Sequence, residues 1–89
     1  MKKSRLLEEL YSQYRHLMYH VAYGILKDHN LAEDAVHAAF LKLAENNYQI
    51  DEIICNKTRA FMVIVIRSTA LNLYSRNNKR KDVYFLEDQ

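Results

Sequence analysis

A chain of 89 residues has room for one compact domain and no second core, because so short a chain buries only roughly 60–65% of its unfolded surface. Hydrophobic residues at 49% and charged residues at 27% exclude a disordered polypeptide. The net charge is +2, no apolar run approaches a membrane span, and Cys55 is the only cysteine, so an internal disulfide and a cysteine-built metal site are excluded. The acidic residues in the opening stretch break any apolar signal core, and a cytosolic location is expected. Proline is absent and glycine occurs once, at Gly24. Turn punctuation is therefore nearly missing, and helices are expected to dominate.

From Ser4 to Lys27, Leu6, Leu7, Leu10, Tyr14, Leu17, Met18, Val21 and Ile25 recur at three- and four-residue steps, which predicts an amphipathic first helix. Ser4 is a candidate cap, and Gly24 is the point where this helix is weakest and can break. Asn30 followed by Glu33 has the pattern of a capping box opening a second helix. Its core stripe is Ala32, Val36, Ala39, Phe40 and Leu43, and it is expected to fray at Asn46-Asn47. After a loop, Asn56 is the candidate cap of a third helix from Lys57 to about Asn78. The run Phe61 to Ile66 has the composition of a helix or of a buried strand, and periodicity does not arbitrate. The flanks Thr58-Arg59-Ala60 and Ala70-Leu71-Asn72-Leu73 continue a helical pattern and favour helix. The fold class expected is all-α, a three-helix bundle whose apolar third helix is central and covered by the first two, with Ile64 inside.

Charge is distributed unevenly. Lys57, Arg59, Arg67, Arg76, Lys79, Arg80 and Lys81 fall in a stretch without an acid, interspersed with Asn72, Tyr74, Asn77 and Asn78. Cations for phosphates beside amides and rings for bases are the footprint of a nucleic-acid contact; the plain alternative is a solvated helix end favoured by the helix dipole. Asp28, Glu33, Asp34, Glu45, Asp51 and Glu52 gather upstream. Nucleic acid repels such a helix, so a binding role for it calls for a basic protein surface.

Catalytic and metal chemistry find little footing. His16 and His20 stand one turn apart, but no acidic or sulfur ligand joins them at metal-binding spacing. His37 lies near Glu33 and Asp34 with no nucleophile or glycine loop beside it. One glycine cannot build a phosphate-binding loop. Tyr48, in the predicted loop, either packs across the bundle end or stacks on a base, and Cys55 reads as a small inert apolar residue. No cofactor and no enzymatic activity are expected.

Three ordered blocks carry a resemblance. The first is Leu10-Tyr11-Ser12-Gln13-Tyr14-Arg15-His16-Leu17-Met18-Tyr19. The second runs from Asp28 through Ala32-Glu33-Asp34-Ala35-Val36-His37-Ala38-Ala39-Phe40-Leu41-Lys42-Leu43, against the pattern D-x-x-x-A-E-D-x-V-Q-E-x-F-L-K-L. The third is Asn56-Lys57-Thr58-Arg59-Ala60-Phe61 followed by Ile66-Arg67-Ser68-Thr69-Ala70-Leu71-Asn72. Together they make the chain resemble region two of the sigma-70 family, particularly its compact extracytoplasmic-function group. It departs from the pattern at His37-Ala38, where Gln-Glu is usual, and at Ser68 and Asn72, where Asn and Asp are usual.

The resemblance implies a region-two domain over residues 1–82 with 83–89 beginning a linker or tail, and the family's helix-turn-helix domain is absent from this chain. It implies a transcription initiation factor that docks on core RNA polymerase and engages promoter DNA at the minus-ten element, favouring the open non-template strand. Docking on a coiled coil of the largest polymerase subunit falls to Asp34, His37, Ala38, Leu41 and Glu45. DNA contact falls to Asn56, Lys57, Arg59, Arg67, Asn72, Arg76, Lys79 and Arg80. An anti-sigma factor is a further partner that the resemblance allows, and a membrane is not. The competing readings are a degenerate sigma-like module that binds only a regulator and an autonomous helical DNA binder; the latter calls for a short turn before its recognition helix, where this chain has a loop of about ten residues.

Overall fold

The computed structural model describes the backbone of residues 3–46 and 50–88 and the side chains of residues 5–46 and 50–76. The Ser4 side chain, Asn47, Tyr48, and the side chains of Asn77, Asn78, Lys79, Arg80 and Lys81 lie outside the described residues, as do the roles expected of them. The chain forms α1 (Lys3–Leu26), α2 (His29–Glu45) and α3 (Asn56–Asp88), an all-α bundle with no strand among the described residues. The apolar run Phe61 to Ile66 is helical.

The core of α1 is a row at four-residue steps, Leu10, Tyr14, Met18, Ala22 and Leu26, all buried. Leu6, Leu7, Leu17, Val21 and Ile25 flank this row as partly buried neighbours. Gly24 does not break the helix: its φ is negative, and a Cβ there would meet nothing within 4 Å. One glycine on an exposed helix face costs only about 1 kcal/mol, too little to end a helix anchored on both sides by buried residues.

The joint between α1 and α2 is two residues long. Lys27 takes φ 56, the left-handed conformation that closes a helix, and its N–H donates to the Tyr23 carbonyl at 2.8 Å. Asp28 is then extended, and its Oδ1 accepts the Leu31 N–H at 2.9 Å. The α2 cap is thus Asp28 and not Asn30, because the early closure at Lys27 places a carboxylate, favoured at a helix N-terminus, ahead of the asparagine. Glu33, expected to reach back to Asn30, instead pairs with His29 Nε2 at 3.0 Å.

The buried row of α2 is Ala32, Ala35, Val36, Ala39 and Leu43, and its alanines let the backbone approach its neighbours closely. Asn46 ends α2 as expected, its backbone N–H and its Nδ2 both donating to the Lys42 carbonyl, at 3.1 and 2.8 Å. Two tertiary hydrogen bonds hold the following loop: the Tyr14 hydroxyl donates to the Ile53 carbonyl and the Thr58 hydroxyl to the Glu52 carbonyl. A connection without proline or glycine is thereby tied to α1 and α3.

α3 departs from expectation in three ways. It opens one residue early, with Cys55 rather than Asn56 in the capping place: the Cys55 carbonyl accepts the Arg59 N–H at 3.0 Å, and its sulfur accepts the Thr58 N–H at 3.5 Å. It runs to Asp88 rather than ending near Asn78, since asparagines lower helix propensity by only a few tenths of a kcal/mol and no glycine or proline follows. It is also not covered on every side. Met62, Ile66 and Ala70 are fully buried, but Ile64 is 65% exposed and Leu71 48%. In a three-helix bundle each helix keeps an outer face, and Ile64 lies on that of α3.

Candidate functional site

Two outer faces carry the side chains expected to bind partners. On α2, Asp34, His37, Leu41 and Glu45 are exposed and Ala38 is half-buried beside them. Helical spacing places them on one stripe opposite the Ala35–Ala39 core row. Leu41 is 63% exposed, an apolar side chain among carboxylates on a face that no other part of the described chain covers. The sequence-predicted stripe is thus assembled at the surface.

On α3, Asn56, Lys57, Arg59, Arg67, Asn72 and Arg76 are all exposed. No acidic residue falls between Asn56 and Arg76, and none of these cations forms an ion pair with a described residue. Lys57, Arg67, Ile64 and Leu71 share the side turned away from Met62 and Ile66, whereas Asn72 lies on a flank by helical spacing. Lys57 and Arg67 thus flank the apolar side chains of this outer side, whereas Arg59 and Arg76 lie toward the Met62–Ile66 side by helical spacing.

Between the ends of α2 and α3 the loop forms a cleft of about 340 Å³ lined by Ile50, Asp51, Glu52, Cys55, Thr58 and Phe61, with Lys57 at its edge. That is at the lower end of small-molecule pockets, about 300–1,000 Å³. Its walls combine a ring and an aliphatic chain with carboxylates and a cation. Of these residues only Lys57 was expected from charge, and Phe61 is legible solely as the aromatic of the third sequence block. Ile50 and Cys55 carry no signal in the sequence, because what brings them to the cleft is the pinning of the loop by Tyr14 and Thr58.

Cys55 is half-buried, and its sulfur makes polar contacts with Thr58. The Thr58 hydroxyl at 3.3 Å from the sulfur, and next the Thr58 backbone N–H, hold the thiol below its usual range. No group of three or more His, Cys, Asp or Glu among the described residues is placed to hold a metal ion, and no described helix is long and apolar enough to cross a membrane.

The family model described as Sigma-70 region 2 matches residues 10–80. Neither curated proteins nor solved structures gave a match.

Proposed function

The chain belongs to the sigma-70 region 2 family, a family of transcription-factor domains and not of enzymes, and on that premise we propose that it docks on core RNA polymerase through α2 and engages the minus-ten promoter element through α3 and the loop before it. The observation that carries this reading is the opposition of the two outer faces. An acidic stripe around the exposed Leu41 suits a basic, partly apolar protein helix, and an acid-free basic face suits phosphates. Both functions place the protein in the cytoplasm, where the polymerase works.

Each side chain has a definite task in this reading. Leu41 and Ala38 supply apolar contact with a coiled coil of the largest polymerase subunit, while Asp34 and Glu45 set sign and register, and His37 adds a ring at the stripe's edge. Lys57, Arg59, Arg67 and Arg76, continued by Lys79 and Arg80, neutralise phosphates and position the DNA. Asn56 and Asn72 offer amides that read base edges. The loop cleft receives an unstacked base of the opened non-template strand, whose stacking against Phe61 repays the few kcal/mol lost on unstacking. No bond is made or broken by the domain.

Titration of the folded protein with purified core polymerase tests the reading. Asp34→Arg should weaken binding strongly while leaving the helical spectrum unchanged, since Asp34 is exposed and its reversal sets like charges against each other. Unchanged affinity of the folded variant would rule out this docking face.

A further inference from the structure

The outer faces of α2 and α3 match each other in spacing as well as in sign. Along α2 the order is an acid at Asp34, an aliphatic side chain seven residues on at Leu41, and an acid four residues further at Glu45. Along α3 it is a cation at Lys57, an aliphatic side chain seven residues on at Ile64, and a cation three residues further at Arg67. All six side chains are exposed, and none of the four charges forms an ion pair with a described residue. At the rise of an α-helix, Asp34 and Leu41 stand about 10.5 Å apart along the axis, as do Lys57 and Ile64. The steps from Leu41 to Glu45 and from Ile64 to Arg67 are about 6 and about 4.5 Å. A parallel approach that sets Leu41 on Ile64 therefore brings Asp34 level with Lys57 and Glu45 within about 1.5 Å of Arg67 along the axis. The antiparallel approach puts Asp34 beside Leu71 and leaves Glu45 about 4.5 Å short of Lys57. Lys42, the cation on this part of α2, lies about 100° around the helix from Leu41 and stays off the contact.

The two faces cannot meet within one molecule, because both helices pack on the same core and turn Leu41 and Ile64 away from it. We propose that α2 of one copy covers α3 of a second copy in the parallel register, a head-to-tail contact of this chain with itself. Sign and spacing agree in that register alone, so wrong pairings meet unpaired or like charges. Exposed ion pairs are individually weak, so the association is weak and depends on salt. The inference takes no premise from the function proposed above, but it bears on it. Each contact covers a face there given to polymerase or to DNA, so a self-associated copy is withdrawn from that work.

Static light scattering on the whole chain at up to about 1 mM protein tests the contact. A Kd of about 1 mM places half of the chains in pairs there, for a weight-average mass about 1.5-fold above the dilute value. That rise should be present at about 10 mM salt and lost at about 1 M, where charges act over only about 3 Å. Asp34→Arg/Glu45→Arg and Lys57→Glu/Arg67→Glu, each checked for an unchanged helical spectrum, should each keep the dilute mass alone, and an equimolar mixture of the two should regain the rise. Glu8→Arg/Glu9→Arg on α1 changes net charge as the first pair does and should still associate. A parent that keeps its dilute mass at about 1 mM in low salt would overturn the inference. So would parent-like association of either face variant alone, no recovery on mixing, or loss of association in the α1 variant equal to that in Asp34→Arg/Glu45→Arg. Should a double variant lose its helical spectrum, the single changes Asp34→Arg and Arg67→Glu take its place in the same comparison.

Discussion

The outer faces of α2 and α3 are alike in one property and opposite in another. Each leaves a large aliphatic side chain in solvent, Leu41 at 63% and Ile64 at 65%, yet the first is surrounded by Asp34 and Glu45 and the second by Lys57 and Arg67. Exposed apolar area suits a contact surface in both places without saying for what. The sign of the surrounding charge separates a surface that a basic protein helix can cover from one that a phosphate backbone can. The contrast also depends on a shared core, since α1 packs against both helices and holds the two faces apart.

The largest effect expected is the disruption of both faces together. Ile66 is fully buried, and Ile66→Asp places an unpaired charge in the core at a cost of several kcal/mol, comparable with the whole stability of so small a domain. Its helical spectrum should collapse at room temperature, and a folded Ile66→Asp variant would mean that α3 does not pack as described. A smaller effect is expected at the joint between α1 and α2. Lys27→Gly relieves a left-handed backbone conformation and should stabilise the protein by about 1 kcal/mol in urea unfolding, with both faces intact. A decrease in stability there would deny that conformation.

Smaller still is the effect on folding at Ile64. Ile64→Asp should change stability by no more than about 0.5 kcal/mol, while weakening DNA binding by setting a negative charge within the basic face. Core-polymerase affinity should be unaffected, which sharpens the contrast between the faces. The least of these effects concerns Cys55, whose thiol Thr58 holds below its usual range. Its alkylation should show a pH midpoint below that of an unperturbed cysteine. Because the thiolate is favoured in the folded state, the linked stability is gained as pH rises through the lowered folded value and is complete above the unfolded one. A midpoint at the ordinary thiol value would show that Thr58 does not engage the sulfur.

Much of this arrangement is legible in the sequence, for identifiable reasons. The spacing of Leu10, Tyr14 and Met18 and that of Ala32, Val36, Ala39 and Leu43 give α1 and α2 and the faces they bury, because a single wrong-facing residue would break the period. The stripe through Asp34, Leu41 and Glu45 follows once the buried side of α2 is known. The caps are less legible, since Asn30 and Asn56 are good cap residues, but capping is decided by the backbone angles of the preceding residues, set here at Lys27 and in the pinned loop. The fate of Ile64 is not legible, because an unbroken apolar run gives no direction and only the positions of α1 and α2 decide that Met62 turns inward and Ile64 outward. The contact of Tyr11 with Phe40 is hidden for a similar reason: the two rings meet across helices, and no spacing within one helix reports it.

The claim that the two faces serve different partners is tested most directly on a forked promoter fragment in the presence of core polymerase, across a range of salt concentrations. Lys57, Arg67 and Arg76 are changed together to Ala, with Asp34→Arg measured alongside. The account predicts that the triple variant keeps its affinity for core polymerase in the absence of DNA. On the fragment it should bind more weakly, with a logarithmic salt slope shallower by roughly 0.7 to 0.9 for each phosphate that is no longer neutralised. If the triple variant instead binds the fragment with the parent's affinity and the parent's salt slope, the basic face of α3 is a solvated helix surface, and the division of labour between the two faces is contradicted.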